Sequence, residues 1–301
     1  MRPIEIRPSV FWVGVNDRVT DLFEGLWPIS REGISYNAYL VVDEKSALID
    51  LSKEMLSEDY LAQLAQVFDI TTLDYVIINH MEPDHSGALK RVLELAPSAQ
   101  ILGMPKTVGM LNDFYGITEN VTRLSNGEEL SLGKHTLRFV YTPFVHWPET
   151  MMTYMVEEQV LFPCDGFGGY GVLDDGIFDD TVTDLAYYEA EALRYFTNIV
   201  AAFSKSVLSA ISKFTEMPIQ MVAPSHGLIW RKDPGRILQL YQTWSEYYHQ
   251  PAEIGITALF GTMYRNSEHA LNAALAGIRS EGVPVWVHDV RKTHVSYILP
   301  D

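Results

Sequence analysis

Residues 79–87 read Asn79-His80-Met81-Glu82-Pro83-Asp84-His85-Ser86-Gly87. Two imidazoles and two carboxylates, His80, Glu82, Asp84 and His85, stand directly after the apolar run Tyr75-Val76-Ile77-Ile78. That run is short, rich in β-branched residues and bounded by polar ones, which predicts a buried strand feeding a loop. Pro83 lacks an amide hydrogen and pushes Glu82 out of the helical region. In an extended chain, side chains 80, 82 and 84 share one face, and His85 points elsewhere unless the loop turns. One histidine at a strand end is ordinarily a polar cap, and Asp-His-Ser-Gly alone is an ordinary turn into a helix. Four donors at this density are different. Buried charge is costly unless paired or metal-bound, and mixed imidazole and carboxylate donors suit first-row metals. The loop is expected to hold two metal ions side by side.

Upstream, Ile4 to Leu51 is strand-rich: Val10–Val13, then Tyr39–Val42 and Ser46–Ile49 joined through a hairpin turn at Asp43-Glu44-Lys45. Asp21–Pro28, punctuated by Gly25 and Pro28, is expected as a loop. Ser57 to Phe68 has helical spacing of Leu61, Leu64 and Val67, with Ser57 as N-cap. Downstream, a helix from Ser86 to Leu95 precedes further strand and helix pieces at Gln100–Gly103 and Lys106–Tyr115. Thr136–Tyr141 alternates as a strand, and Met151–Val156 with Gln159–Phe162 forms a hairpin. A long helix spans Asp184 to Lys213, and the strand Gln220–Ala223 leads to Pro224-Ser225-His226-Gly227. His80, His146, Asp165 and His226 each fall just past a short strand-like run, where sites gather in layered α/β folds. Four such positions argue for one site.

The chain has 301 residues, enough for one large domain and part of another. A hydrophobic content of 47% with 20% charged residues is that of a soluble globular protein. No apolar run approaches bilayer length, and the N-terminus lacks the pattern of a signal peptide. A single cysteine, Cys164, precludes an internal disulfide, so a reducing cytoplasm is expected. A net charge of −17 argues against nucleic acid or an anionic membrane as partner.

With these residues in view, the sequence resembles the metallo-β-lactamase fold, whose signature loop is His-x-His-x-Asp-His. Glu82 replaces the second histidine, and the form His80-x-Glu82-x-Asp84-His85, followed by His146, Asp165 and His226, resembles the flavodiiron proteins. Ser35-Tyr36-Asn37-Ala38-Tyr39, His146-Trp147-Pro148-Glu149 and Arg194-Tyr195 also look like that family, and the likeness covers residues 1 to about 250. The resemblance implies one iron held by His80, Glu82 and His146, and another by Asp84, His85 and His226. Asp165 would bridge them, with an oxo or hydroxo group as second bridge. Glu82 puts a hard anionic oxygen where the fold's signature has an imidazole, which favours iron over zinc. Three carboxylates and a bridging hydroxide would balance two ferrous ions.

Residues 251–301 differ in character. Glu253–Leu259 reads as a strand, Gly261–Ser267 as a loop, Glu268–Arg279 as a helix and Val283–Val287 as a second strand. A hydroxyl-rich loop running into a helix N-terminus favours an anion. The segment Thr262-Met263-Tyr264-Arg265-Asn266-Ser267 resembles the flavodoxin phosphate loop and would grip the phosphate of FMN, with Arg265 where the family usually has a small residue, often glycine. About 50 residues are short of a whole flavodoxin-like unit, so the flavin site is expected to be incomplete. With two strands, an open edge and a thin core, the residues beyond 252 are expected to be poorly ordered or unstable unless covered.

The fold expected is α/β: an αβ/βα metallo-β-lactamase-type sandwich over 1–250, followed over 251–301 by the start of a flavodoxin-like doubly wound unit. The resemblance implies reduction of O2 to water, of NO to N2O, or both. Rubredoxin or a similar carrier would supply electrons, and the chain would form a head-to-tail homodimer. A dizinc hydrolase of the same fold and a diiron O2-binding sensor are the alternatives. Tyr195 is the candidate proton or hydrogen-bond donor to bound oxygen, while Glu24, Trp147 and Tyr170 are further residues that could line the pocket. Cys164 is expected to face away from the metals. His135, His249, His269, His288 and His294 lack ligand spacing and are expected at the surface, as is the acidic patch at 174–180.

Overall fold

The computed structural model describes residues 2–251 and 253–301. The strand ahead of the donor loop, Tyr75–Ile77, lies inside a seven-stranded sheet, parallel to Ser46–Ile49 on one side and Gln100–Gly103 on the other. Sheltered between neighbours and covered on both faces, it is apolar throughout rather than alternating. Ile4–Arg7, Val10–Trp12 and Tyr39–Val42 extend the sheet in antiparallel fashion from Ser46–Ile49, and Val121–Arg123 closes the other edge.

A second sheet of five strands runs Glu129–Ser131, Thr136–Tyr141, Met151–Met155, Val160–Phe162 and Met221–Val222. Only its last pair is parallel. The two sheets share one continuous apolar core, and they are joined near the strand ends. There the Met151 amide donates to Asn79 O at 3.0 Å, and the Tyr39 and Phe162 rings lie 4.9 Å apart. This is the αβ/βα sandwich expected.

Several elements depart from the sequence reading. The stretch 21–28 is a hairpin rather than a loop: Leu22–Phe23 pairs with Trp27–Pro28 across a reversal in which Glu24 and Gly25 have φ of 50° and 70°. Left-handed backbone at two successive residues makes the turn tight, and Gly-Pro punctuation concealed the short pairing. The donor loop does not stay extended. Pro83–Ser86 forms one helical turn with proline at its first position, where the missing amide costs nothing. Ser57 is the first residue of helix Ser57–Leu64 rather than its cap, and its hydroxyl donates to Glu54 O at 2.6 Å.

The long helix is a composite. Leu185–Tyr195, capped by the Asp184 carboxylate, passes through a π-helical turn Phe196–Val200 and a 3-10 turn Ala201–Phe203 into Ser204–Lys213. Helix Pro234–Glu246 was not foreseen, although Asp233 as cap and Pro234 at the first position are its ordinary start signals. His135 is buried, with Nδ1 2.9 Å from Asp43 Oδ2, while His249, His269 and His294 are exposed. His288 is half-buried, 2.6 Å from Asp301.

Beyond residue 253, Ile256–Phe260 and Val285–Asp289 form a parallel two-stranded sheet crossed by helix Asn266–Ser280. The chain after it returns to the large unit, where Ser296 is fully buried.

Candidate metal centre

The separated donors are brought together by the ends of four strands. His80 lies beyond Tyr75–Ile77, His146 beyond Thr136–Tyr141, Asp165 beyond Val160–Phe162 and His226 beyond Met221–Val222. The helical turn at 83–86 aims Asp84 and His85 into the same space, which an extended loop would not do for His85. Gly227, at φ 73°, lets the chain turn immediately after His226, and its amide donates to Ser35 Oγ at 2.9 Å.

The donors form two groups joined through Asp165. Donor atoms of His80, Glu82, His146 and Asp165 lie within 4.8 Å of one another, as do those of Asp84, His85 and His226. Glu82 Oε2 is 3.2 Å from His80 Nε2 and 3.1 Å from His146 Nε2, and Asp165 Oδ2 is 3.3 Å from both. Asp165 Oδ1 turns the other way, 2.9 Å from His85 Nε2 and 3.2 Å from His226 Nε2. Asp84 completes that side, 3.4 Å from each of those imidazoles. Two donors bound about 2.1 Å from one ion stand roughly 3.0–3.4 Å apart, so these spacings suit a cation in each group. Both Asp84 oxygens, Asp165 Oδ2 and His226 Nε2 are buried with no hydrogen-bond partner, as metal donors would be.

Neighbouring groups set the imidazole tautomers. His80 Nδ1 donates to Glu149 Oε1 at 2.7 Å and His226 Nδ1 to Ser35 O at 2.7 Å, which leaves each Nε2 as the free donor pair. Glu149 and Ser35 lie in motifs quoted from the sequence, but nothing there indicates which atom each would hold. Tyr195, the sequence candidate, donates its hydroxyl to Asp165 Oδ1 at 3.1 Å. Trp147 sets its ring 5.1 Å from that of His80, and Tyr170 packs 5.2 Å from Tyr195. Glu24 reaches within 3.7 Å of His146 Nε2 from the hairpin tip. The buried thiol of Cys164 lies within 4.8 Å of a ring nitrogen of His85 and a carboxylate oxygen of Asp165, with φ of 52° at Cys164.

The cluster demands positive charge. Burial works against protonating His146 and His226, yet Asp165 with Glu82 pushes the first up to about 9, and Asp165 with Asp84 pushes the second up to about 10. Burial likewise disfavours ionised Glu82 and Asp165, and the surrounding imidazoles outweigh it and hold both below the usual carboxylate range. Burial, then Glu82, raises Glu24 to about 7. A cavity of about 240 Å³, lined by Phe23, Glu24, Tyr36, Lys53, Glu82 and Asp84, opens onto the donors.

The residues expected to hold a flavin phosphate lie elsewhere, 262–265 between strand Ile256–Phe260 and helix Asn266–Ser280, and Asn266 and Ser267 at the start of that helix. Thr262 is buried, Met263 and Tyr264 are exposed, and no side chain caps the helix start. Arg265 has φ of 68°, which explains why glycine suits that position.

The model of the ODP family beta lactamase matches residues 34–227. The chain is 36% identical over 287 residues to a nitric oxide reductase of Moorella thermoacetica, covering 94% of this chain and 71% of the relative. It is 34% identical to an anaerobic nitric oxide reductase flavorubredoxin of Pectobacterium carotovorum, covering 98% of this chain but only 59% of that protein. Among solved structures, rubredoxin:oxygen oxidoreductase of Desulfovibrio gigas superposes with a TM-score of 0.92 at 28% identity, over 99% of this chain and 74% of that one. A flavoprotein of Thermotoga maritima gives 0.91 at 31% identity, over 99% and 75%. The chain therefore belongs to the ODP family of β-lactamase-fold proteins and, by its relatives in sequence and structure, to the flavodiiron proteins.

Proposed function

We propose that this chain is the diiron-bearing part of an oxidoreductase that reduces O2 to water, NO to N2O, or both. The observation that carries the reading is Asp165, whose two oxygens face two separate donor groups. His80, Glu82 and His146 would hold one iron, Asp84, His85 and His226 the other, and Asp165 would join them. Two irons so held would supply electrons and open coordination positions for a small diatomic molecule. The named relatives act on nitric oxide or, with rubredoxin, on oxygen, and the same substrates and a rubredoxin-like donor are proposed here.

The chain's own groups would do the rest. Glu149 and Ser35 O fix the imidazoles of His80 and His226. Tyr195 holds a proton at its hydroxyl, 3.1 Å from Asp165, within reach of oxygen bound beside that carboxylate. Phe23 and Glu24 line the cavity of about 240 Å³ beside the donors, which has room for a diatomic molecule. The uncapped start of helix Asn266–Ser280 supports binding of the FMN phosphate by residues 262–267, in a flavodoxin-like unit whose boundary we place at 250–251. A head-to-tail homodimer, which would bring one chain's flavin to the other's irons, completes the reading, and cytoplasmic placement agrees with it.

Metal analysis of the purified chain, followed by gas-consumption assays with a reduced flavin as electron source, tests the proposal. Two irons per chain with consumption of O2 or NO is expected. Zinc without iron, with hydrolase activity, would replace it by the dizinc alternative. Stable O2 binding without consumption would replace it by the sensor.

A further inference from the structure

Arg194 gathers groups from three distant parts of the chain. Its buried guanidinium lies between the rings of Tyr170 and Tyr297, 4.4 Å from each centroid. Nη1 donates to Pro28 O, at the foot of the 22–28 hairpin, and to Ser296 Oγ, both at 3.0 Å. Nη2 pairs with Glu191 at 2.8 Å and with Glu32 at 3.3 Å. The end of the second unit, after its last strand Val285–Asp289, closes around the same group. Asn198 Nδ2 also donates to Ser296 Oγ at 2.6 Å, Tyr297 OH donates to Glu32 at 3.1 Å, and His294 meets Trp27 edge-on at 6.5 Å.

A buried cation is costly, and carboxylates alone would neutralise this one. The planar guanidinium, with two ring faces and several donors in use at once, does what a lysine cannot. Its chain neighbour and the hairpin that it grips both reach the candidate metal centre. Tyr195, the next residue, donates to Asp165. The hairpin places Phe23 5.4 Å from the His226 ring and Glu24 3.7 Å from His146 Nε2.

We propose that Arg194 is a positioning residue that couples the seating of segment 293–299 to the placement of the 22–28 hairpin and Tyr195 over the donor cluster. The second unit thereby sets access to the small-molecule cavity through a mechanical contact, independently of any cofactor it carries. Because the coupling is read in the backbone, it stands apart from the proposed reaction.

Hydrogen–deuterium exchange on the iron-loaded full chain tests this, with azide titration of the metal centre as a second readout. Tyr297→Leu removes one ring face and the hydroxyl, while Tyr297→Phe keeps the ring. In Tyr297→Leu and Arg194→Lys, amides at 22–28 are expected to exchange about tenfold faster, with Tyr75–Ile77 and Thr136–Tyr141 unchanged. Azide affinity is expected to shift about threefold or more, and Tyr297→Phe to lie near the parent on both readouts. Faster exchange at 293–299 alone, with 22–28 unmoved, would overturn the proposal and leave Arg194 a local anchor. If Tyr297→Leu does not fold, Ser296→Ala, which deletes the acceptor shared by Arg194 and Asn198, makes the same distinction.

Discussion

At the scale of single residues, the centre depends on atoms one hydrogen bond away from the donors. Glu149 accepts from His80 Nδ1 and from the Met81 amide, so it fixes both the ring and the loop that carries it. Glu149→Gln is expected to weaken iron binding about 10- to 100-fold in a chelator competition. Tyr195→Phe leaves the ring packed against Tyr170 and Phe23 and deletes only the hydroxyl on Asp165. Iron content is expected to hold while turnover of O2 or NO falls by about 100-fold; unchanged turnover would remove Tyr195 from the mechanism. In the second unit, Arg265 adopts left-handed backbone for which its exposed pair with Glu268 gives little return. Arg265→Gly is expected to raise stability by about 0.5–1 kcal/mol in urea unfolding. Each candidate donor was named from the sequence, and the fold brings those side chains together. Glu24, Cys164 and Arg194 were also singled out there, but not the atoms each meets, because those contacts depend on backbone angles and distant neighbours.

At the scale of elements, placement of His226 rests on two glycines as well as on the strand Met221–Val222 that precedes it. A Cβ on Gly227 would meet the backbone of Gly169 at 3.0–3.2 Å, and φ of 73° already disfavours any L side chain. Gly227→Ala is therefore expected to cost about 2–4 kcal/mol and to lower iron content toward one per chain, read by denaturant unfolding and metal analysis. The helical turn at 83–86 shows the same dependence on local geometry. Proline made the departure from an extended loop foreseeable, since it suits a first helical position as well as it ends a strand. The π-helical turn after Tyr195 had no comparable signal: the apolar spacing of 184–213 reads as one helix, and the extra residue per turn is imposed by what each end packs against.

At the scale of the whole molecule, the two sheets are fastened at the end remote from the donors as well. Asp43, in the turn after Tyr39–Val42, accepts from the amides of Lys134 and His135 and from the His135 ring at 2.8–2.9 Å. Burial opposes ionisation there, but the amides of His135 and Glu44 and the His135 ring hold the carboxylate below its usual range. Asp43→Ala is expected to destabilise the fold by about 1–3 kcal/mol at neutral pH. Because the folded carboxyl binds its proton less readily than the unfolded one, this contribution is complete above about pH 4 and fades as pH falls further. The difference between variant and parent in thermal unfolding should accordingly shrink below that range; a gap that persists in acid would count against the assignment. Lys45 N donating to Leu132 O at 2.8 Å reinforces the same junction.

The sequence by itself pointed to the candidate donors, the strand-like runs that carry them and the class of fold, because those depend on residue type and short-range periodicity. Apolar runs ending in imidazole or carboxylate can be read one segment at a time. Tertiary structure alone decided which oxygen of Asp165 turns to each donor group, that the Cys164 thiol packs beside His85, and that Arg194 ties residues 28, 170, 191, 296 and 297 together. Those features join separated positions, 80 with 165 and 28 with 194 among them, and no local pattern encodes the meeting of groups that only a closed chain brings into contact.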